Sequence, residues 1–393
     1  MALFFVWAYH LKHLNLLQIT HQLNMKKILI TGGGIAGLAT ARMLQNQGYQ
    51  IKLIEKQSEW QISGTGLYLP SNGVVALDKI GLGTIAREKG FIIDYRNIKS
   101  AKAETILDLD LEKIWGREKP CLSIKRKVLH DILINGINNI DIVFNTTIKN
   151  LKTNPQSIGI ELSDGSKEEY DLVIGADGLY SRARNLVLGD IPLRKVTAQV
   201  CRFMIKKPKD INSWTLFISS AGQFLIIPTD KDFAYCYVNR KTKGFKTYDK
   251  KQYMEPFKKF ASPVPEILNT WNPDEAYWND LEELPQLPVM GSSRVVLIGD
   301  AAHGMPPFMA QGGALALEDA VVLSGLLKNE DWSTMASTFS KNRINRIDWT
   351  RARNQKREKL SKLPYWIAKL GLKKVGEKNW TEDYKPLTKT PNW

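Results

Sequence analysis

A glycine-rich turn between a short apolar run and an apolar helix pattern constrains the fold of this chain more than any other feature. Residues 26–31, KKILIT, have the pattern of a buried strand, and residues 35–48, IAGLATARMLQNQG, predict a helix that ends at a glycine. Residues 49–56, YQIKLIEK, then predict a second strand. A strand, a helix and a second strand within about 30 residues have the size of one β-α-β crossover. The pattern therefore predicts a parallel sheet.

Gly32, Gly34 and Gly37 give the turn the spacing G-x-G-x-x-G. The first glycine permits the tight turn, the second lets the backbone approach a pyrophosphate, and the third allows close packing of helix and strand. The helix N-terminus would face the phosphates. Glu55 ends the second strand, where an acid can accept from a ribose hydroxyl, and we include its neighbour Lys56 in the predicted site. This arrangement predicts a dinucleotide site for FAD or NAD rather than for NADP.

Two later segments repeat the pattern of a buried strand followed by an acid. Residues 171–184, DLVIGADGLYSRAR, place Asp177 after such a strand, and residues 299–320, GDAAHGMPPFMAQGGALALEDA, begin with Asp300 in the same position. Taken alone, the first segment reads as a turn capped by an aspartate, with a surface arginine. The second segment continues with small residues, two prolines and two glycines before an apolar helix begins. A simple aspartate cap does not explain these residues.

These pieces resemble the single-component FAD-dependent aromatic monooxygenases, the p-hydroxybenzoate-hydroxylase-like flavoproteins. The matching motifs are GGGIAG at 32–37, DG-x-x-S-x-x-R at 177–184 and GDAAH at 299–303, and the resemblance spans residues 26–345. Arg126, in a helix predicted over 123–137, falls where that family places an arginine against the FAD phosphates. The resemblance implies these FAD-binding residues: Gly32, Gly34, Ala36, Gly37, Glu55, Lys56, Arg126, Asp177, Asp300, Pro307, Gly312 and Gly313.

In the family, Asp300 would hydrogen-bond a ribityl hydroxyl, while Pro307 and the backbone of residues 312–313 would approach the flavin ring. The helix that begins near Gly312 would point its N-terminus at the ring. Two positions depart from the family pattern. Ala310 stands where a glycine is frequent, and Ala314 stands where an asparagine often lies.

The fold class that follows is α/β: a Rossmann-like FAD-binding domain with an inserted antiparallel β-sheet substrate domain and a C-terminal helical tail. Short alternating aromatic and β-branched runs, such as WTLFIS and GQFLIIP, indicate the inserted sheet. Pro364 should divide the tail, with a second helix at 365–375. The expected boundaries are an N-terminal extension at 1–24, the FAD-binding domain at 25–189 and 286–332, the substrate domain at 190–285 and helices that close the substrate site at 333–393.

Composition excludes several classes of protein. The three cysteines lack C-x-x-C spacing, so we expect no disulfide framework, which suits a reducing cytoplasm. The five histidines lack paired spacing, so we expect no metal site. The net charge is +15, and residues 341–378 hold thirteen Lys and Arg against three acids. A solvated helix face explains this charge as well as an anionic partner does. The apolar run within residues 1–24 is too short to span a bilayer. We expect these residues to form a loosely ordered extension, and an interfacial anchor is the alternative.

The resemblance implies a flavin that is reduced by transiently bound NADPH or NADH and hydroxylates its substrate with O2 through a C4a-hydroperoxide. No catalytic side chain is then required. We expect the substrate between the flavin and the inserted sheet, contacted by Tyr68, Met204, Phe224 and Phe308. Phe217, Tyr235 and Tyr237 are further candidates, although core packing explains each sheet residue better than substrate contact does, because strand alternation buries half of such residues.

Chain length and the extra C-terminal helix resemble the tetracycline destructases, which implies hydroxylation and breakdown of tetracyclines. A hydroxylase of a simple aromatic acid, of the salicylate type, is the nearer alternative. The distant alternative is a flavin-containing redox sensor or a protein whose basic tail binds membrane or nucleic acid. We expect a monomer whose partners are a small molecule and O2, with no nucleic acid and no stable membrane association.

Overall fold

The computed structural model describes residues 25–61, 64–241, 249–328 and 331–391, apart from the side chains of residues 197 and 198. The extension predicted for residues 1–24 lies outside the described residues. No described helix combines the length and the apolar character that a membrane crossing requires.

The strands and helices follow in chain order. The strands are β1 (Lys27–Thr31), β2 (Gln50–Ile54), β3 (Gly66–Leu69), β4 (Phe91–Ile93), β5 (Tyr95–Ser100), β6 (Thr105–Asp110), β7 (Cys121–Lys125), β8 (Asp141–Val143), β9 (Ile148–Thr153), β10 (Ile158–Leu162), β11 (Lys167–Tyr170), β12 (Leu172–Gly175), β13 (Arg194–Lys206), β14 (Trp214–Ile218), β15 (Gly222–Pro228), β16 (Phe233–Arg240), β17 (Tyr277–Glu283), β18 (Gly291–Ser292) and β19 (Val295–Leu297). The α-helices are α1 (Ile35–Leu44), α2 (Ser71–Ile80), α3 (Gly83–Lys89), α4 (Leu111–Trp115), α5 (Arg126–Ile134), α6 (Arg182–Leu188), α7 (Lys250–Met254), α8 (Val264–Thr270), α9 (Asp300–His303), α10 (Gly312–Leu326), α11 (Met335–Ser361) and α12 (Tyr365–Tyr384). Short 3-10 helices lie at Glu255–Lys259, Pro273–Glu275, Pro307–Met309, Trp332–Thr334 and Lys385–Thr388.

A six-stranded sheet in the order β18-β19-β12-β1-β2-β8 forms the Rossmann-like layer. All its neighbouring strands are parallel except β18 and β19. Every residue of β12 is buried, and α1 and α10 pack together in the hydrophobic core beside this sheet. Strands buried on both faces read as continuous apolar runs, which is why the sequence predicts them well. The predicted fold class is confirmed.

A seven-stranded sheet in the order β17-β13-β16-β15-β14-β5-β6 forms the second layer. The prediction placed this sheet within residues 190–285, but β5 and β6 come from residues 95–110. β5 joins β14 as a parallel pair, with Arg96 opposite Trp214, while the other neighbouring strands are antiparallel. A pairing between segments so distant in the chain leaves no local signal, and the predicted boundary missed it.

Two helical predictions need correction. Residues 121–125, partly included in the helix predicted over 123–137, form β7, because they pair with β3 and β4; the helix begins at Arg126. The second C-terminal helix continues from Tyr365 to Tyr384, beyond the predicted end at 375. Trp380 and Tyr384 of this extension join the apolar cluster beside the cavity, so tertiary packing extends the helix.

Candidate functional site

A cavity of about 820 Å³ lies between the carboxyl ends of the parallel strands and the seven-stranded sheet. The glycine turn after β1 and the first turn of α10 line one part of it, and side chains of β5, β14, β15 and β16 line another. Helix α12 contributes residues from Tyr365 to Asp383 to its wall. Ligands of open α/β sheets bind at this edge, so the cavity lies where the glycine motif predicted a site.

The three motif glycines are constrained in different ways. Gly32 has φ of +93°, and a Cβ there would lie 2.5 Å from the carbonyl oxygen of Ala176. A Cβ at Gly37 would overlap the carbonyl oxygen of Gly32. At Gly34 a Cβ would meet no described atom within 4 Å, although Gly34 lines the cavity. Gly32 and Gly37 therefore serve the fold, while Gly34 leaves open space beside the N-terminus of α1.

Glu55 closes the glycine turn from the side. Its carboxylate accepts hydrogen bonds from the backbone N–H of Gly33 at 2.8 Å and of Gln57 at 3.0 Å. It lines a smaller cavity of about 120 Å³ together with Arg126 and His130. A carboxylate has about four acceptor positions, so Glu55 can still accept from a ligand hydroxyl there.

His130 packs beneath the same turn. Its Nε2 lies 2.9 Å from the carbonyl oxygen of Gly33, and its ring packs edge-on against Trp60. Burial lowers the pKa of His130, despite the opposing effect of the Gly33 carbonyl. The ring is therefore held neutral, and Nε2–H donates to the turn that shapes the predicted phosphate site.

Asp177 caps a helix. Its carboxylate accepts from the hydroxyl of Ser181 and from the backbone N–H of Arg182 and Ala183 at the start of α6. Arg184, read from the sequence as a surface residue, is 2% exposed and donates to the carbonyl oxygen of Ala301 at 3.1 Å. Asp177 is absent from the described cavity lining, whereas its neighbour Gly178 belongs to it. This motif therefore ties α6 to the 299–303 segment.

The 299–313 segment borders the cavity directly. Asp300 is exposed and lines it, and no described residue hydrogen-bonds the Asp300 carboxylate. Pro307, Gly312 and Gly313 also line it, and the N-terminus of α10 has no side-chain cap. A Cβ at Gly313 would lie 3.4 Å from side-chain atoms of Leu67 and Leu69 in β3, which is van der Waals contact.

The two departures from the family pattern have different positions. Ala310 has φ of +51°, a left-handed conformation that costs an alanine about 1–2 kcal/mol and that glycine adopts without strain. Ala314 is fully buried, and its Cβ packs against Gly73, where a Cβ would lie only 2.9 Å from it. Ala310 belongs to the cavity wall and Ala314 does not.

A buried polar network supports this segment from behind. Asp319 in α10 accepts from the backbone N–H of Gly299 at 2.8 Å and contacts His303 Nε2 at 2.6 Å. Arg343 in α11 pairs with Asp319 at 2.7 Å and with Glu318 at 2.9 Å, and all these side chains are fully buried. Burial raises the pKa of the Asp319 carboxyl, but His303 and Arg343 lower it by more. The pKa of Asp319 is therefore below its ordinary value. The ionised carboxylate fixes the loop that carries Asp300.

The other predicted cofactor residues are divided. Ala36 and Arg126 line the cavity, and no described residue hydrogen-bonds the exposed Arg126 guanidinium. Lys56 is exposed and lines neither of the cavities described above. The structure thus brings seven of the twelve predicted residues to the lining of the large cavity. Glu55 lines the smaller cavity, while Gly32, Gly37, Lys56 and Asp177 line neither of the two.

The predicted substrate residues are also divided. Tyr68 and Phe308 line the cavity. Met204 pairs with Tyr235 across the sheet but is absent from the lining, although Tyr235 and Tyr237 belong to it.

Phe224 was predicted wrongly. It is fully buried on the opposite face of the sheet, against Phe257, while its neighbours Gln223 and Leu225 line the cavity. Phe217 lies in the same distant cluster. Successive residues of a strand face opposite sides, and the sequence did not fix which phase faced the cavity.

Sequence reasoning missed Arg96, Trp214 and Arg202, which all line the cavity. Arg96 occupies a buried position in β5, where every second residue is buried. An arginine in the buried phase of an alternating strand is unusual, and this signal could have identified it. Within the described ranges, no group of three or more potential ligand side chains could hold a metal ion.

Comparison with known proteins agrees with this geometry. The family described as FAD binding domain matches residues 25–330. The chain is 29% identical over 339 residues to the 2-heptyl-3-hydroxy-4(1H)-quinolone synthase of Pseudomonas aeruginosa, covering 82% of this chain and 86% of that protein. The fold is similar to that of Klebsiella pneumoniae HpxO complexed with FAD and uric acid, with a TM-score of 0.84, 19% identity and coverage of 93% and 97%. It is also similar to the tetracycline destructase Tet(55), with a TM-score of 0.71, 21% identity and coverage of 94% and 99%.

The residues present fit FAD. The open space at Gly34 and the uncapped N-termini of α1 and α10 suit an extended ligand with anionic phosphates, and the free Asp300 carboxylate suits its hydroxyl groups. The family match covers most of the chain, so the protein belongs to the FAD binding domain family and is a flavin-dependent monooxygenase with FAD as its cofactor.

Proposed function

We propose that this enzyme uses NADPH or NADH and O2 to hydroxylate a polycyclic phenolic substrate, and that this substrate is a tetracycline. The observation that carries the proposal is the large cavity, whose wall is extended by α12 from Tyr365 to Asp383. Similarity to the destructase Tet(55) over 94% of this chain supports it, because that coverage must include most of the C-terminal region. FAD would occupy the part of this cavity beside the glycine turn, so the part between the seven-stranded sheet and α12 is what a substrate of several rings would fill.

In this proposal the chain holds FAD along the cavity. The glycine turn at 32–37 and the N-terminus of α1 bind the pyrophosphate, and Arg126 adds a positive charge. Glu55 accepts from the ribose, and Asp300 accepts from the ribityl chain. Pro307 and the first turn of α10 would meet the ring. Lys56 and Asp177 take no direct part, because one lies outside the cavities and the other caps α6.

The bound FAD would supply the redox chemistry that passes electrons from NADPH or NADH to O2 and one oxygen atom to the substrate. The chain contributes orientation and exclusion of water. Burial raises the pKa of Tyr68 well above its ordinary value and that of Tyr235 to about 12, so both hydroxyls stay protonated and can donate to substrate oxygens.

The test is NADPH oxidation by the purified FAD-loaded protein with and without tetracycline, followed by the mass of the antibiotic. We expect faster oxidation and a product that is heavier by one oxygen atom, or its fragments. An anaerobic sample is the control, and NADH in place of NADPH determines the donor. Unchanged tetracycline after prolonged incubation in air would contradict the proposal, and faster oxidation without a change in mass would mean that the drug binds but is not hydroxylated.

A one- or two-ring aromatic substrate is the second candidate. The fold is closer to HpxO, solved with uric acid, than to Tet(55), with TM-scores of 0.84 and 0.71. The quinolone synthase relative is named for a two-ring product. Salicylate and a 4-quinolone, tested beside tetracycline in the same oxidation assay, separate the two candidates.

We also propose that the enzyme is a monomer of the cytoplasm. Its three cysteines, Cys121, Cys201 and Cys236, are free and buried, which suits a reducing compartment. Sedimentation of the purified protein at several concentrations tests the monomer.

A further inference from the structure

Arg96 differs from the other buried arginines of the described chain. It is 3% exposed, yet it lines the large cavity. A buried guanidinium normally requires oxygen acceptors, because burial removes its charge and its five N–H donors from contact with water. The other three have them: Arg184 binds the carbonyls of Leu179 and Ala301, Arg343 binds Glu318 and Asp319, and Arg351 binds Glu283.

The hydrogen bonding of Arg96 is sparse. Its Nη1 donates to the Tyr384 hydroxyl oxygen at 3.4 Å, a long distance, and its Nε finds no acceptor in the part of the chain that the structure describes. The Tyr384 hydroxyl itself donates to the Met309 carbonyl at 3.0 Å. No carboxylate among the described residues forms an ion pair with Arg96. The guanidinium therefore keeps most of its donors without an acceptor among the described residues.

Four aromatic rings surround this guanidinium and form what we call the Arg96 cage. Its Cζ lies 4.5 Å from the ring centre of Trp380, 4.6 Å from Tyr68, 4.9 Å from Trp214 and 5.6 Å from Tyr384. Ring faces stabilise a cation, but they offer its N–H groups no lone pair. The cage therefore holds the charge in place without neutralising it.

The cage and the glycine end of the cavity lie on opposite sides of β3. Leu67 and Leu69 contact the space at Gly313, whereas Tyr68, between them, contacts Arg96. Alternation along β3 thus separates the side that would meet the flavin ring from the side that holds the free guanidinium. Tyr68, Arg96, Trp214 and Trp380 all line the cavity, so a ligand in it can reach the cage.

We infer that Arg96 and its cage form an anion subsite, which binds a negatively charged oxygen group on the aromatic substrate. The inference rests on the proposed function, because it specifies the chemistry of that substrate. A planar guanidinium pairs with two oxygens in its own plane while aromatic rings cover its faces. A ring carboxylate and the ionised enol system of a tetracycline both supply such oxygens. A neutral substrate would leave the buried charge unpaired.

The test compares ligand pairs that differ in charge. The probes are salicylate with salicylamide, 1-hydroxy-2-naphthoate with its amide, and tetracycline. Their dissociation constants are measured on FAD-loaded wild type, Arg96→Met and Arg96→Lys by quenching of tryptophan fluorescence, which Trp214 and Trp380 should report. Arg87→Met is the matched control, because Arg87 lies in a surface ion pair with Asp78. FAD content and circular dichroism identify any variant that has not folded.

Wild type should bind at least one carboxylate about tenfold more tightly than its amide, the factor that one charge-assisted hydrogen bond supplies. Arg96→Met should abolish this preference and leave the amides within about threefold, while Arg96→Lys should retain part of it. Equal preference in wild type and Arg96→Met, or no carboxylate bound by wild type, would overturn the subsite. Carboxylate selectivity without turnover of tetracycline rejects only the tetracycline proposal, and turnover of tetracycline that is indifferent to Arg96 rejects only the subsite.

Discussion

Arg343 and Arg96 are both buried, but they are held in opposite ways. Arg343 pairs with two buried carboxylates beneath the 299–313 segment, whereas Arg96 lies among four rings beside the cavity and pairs with none among the described residues. The same contrast separates Asp319, which has three partners, from Asp300, and Gly37, which packs on the chain, from Gly34. Groups with internal partners stabilise the fold, and groups without them are available to a ligand.

The largest expected effect is on stability. Arg343→Met removes the buried cation that Glu318 and Asp319 share and leaves Glu318 with Arg346 and Asp319 with His303. It should lower the free energy of unfolding by about 3 kcal/mol. Arg96→Met leaves no described carboxylate without a cationic partner, and it should change the free energy of unfolding by no more than about 1 kcal/mol. Urea unfolding of the two variants measures both. If the two variants lost similar free energy of unfolding, the contrast between Arg343 and Arg96 would be wrong.

The glycine pair gives the next effect. In Gly34→Val the new side chain occupies open space beside the cavity, so the fold should survive while FAD affinity falls at least about tenfold. In Gly37→Ala the Cβ overlaps the Gly32 carbonyl, so stability itself should fall by about 1–3 kcal/mol. FAD titration and thermal unfolding of the apoproteins distinguish the two. A Gly34→Val protein that purifies with full FAD would contradict the assignment of the turn.

His130 gives the smallest effect, because it is an intermediate case. Its Nε2 has the Gly33 carbonyl as partner, while no described residue hydrogen-bonds its buried Nδ1. Since burial lowers the pKa of His130, the folded protein keeps the ring neutral at pH values where the unfolded ring, with a pKa of about 6.5, already binds a proton. Its contribution to stability is therefore complete above about pH 6.5 and decreases as the pH falls toward the folded pKa.

Unfolding measured at several values between about pH 7.5 and 5.5 tests this dependence. Wild type should lose more stability than His130→Gln on acidification, by less than about 1.4 kcal/mol per pH unit. Parallel pH profiles for the two proteins would show that His130 titrates normally in the fold.

The sequence was sufficient where the signal is local. The strand, glycine turn and helix at 26–44 are contiguous, and each glycine has a geometric reason that the spacing already indicates. Asp300 follows a buried strand in the same local way. Prediction from these segments required no knowledge of distant contacts.

The rest depended on distant contacts. Phe224 was placed on the wrong face because alternation gives two equivalent phases, and only the packing of α7 and α8 decides between them. β5 and β6 were missed because β14, through which β5 joins the sheet, lies far along the chain. Arg96 belongs to no motif, and the rings around it come from three separate elements. A site assembled in this way is visible only after folding.

The parallel pairing of β5 with β14 also has a consequence for the order in which the chain can fold during synthesis. Arg96 leaves the ribosome well before Trp214, its partner in register, and Trp380 follows only near the C-terminus. Until β14 is made, β5 presents an open edge and its arginine lacks most of its rings. The two layers therefore cannot mature one after the other as independent units. The substrate end of the cavity is completed last, when α12 has docked.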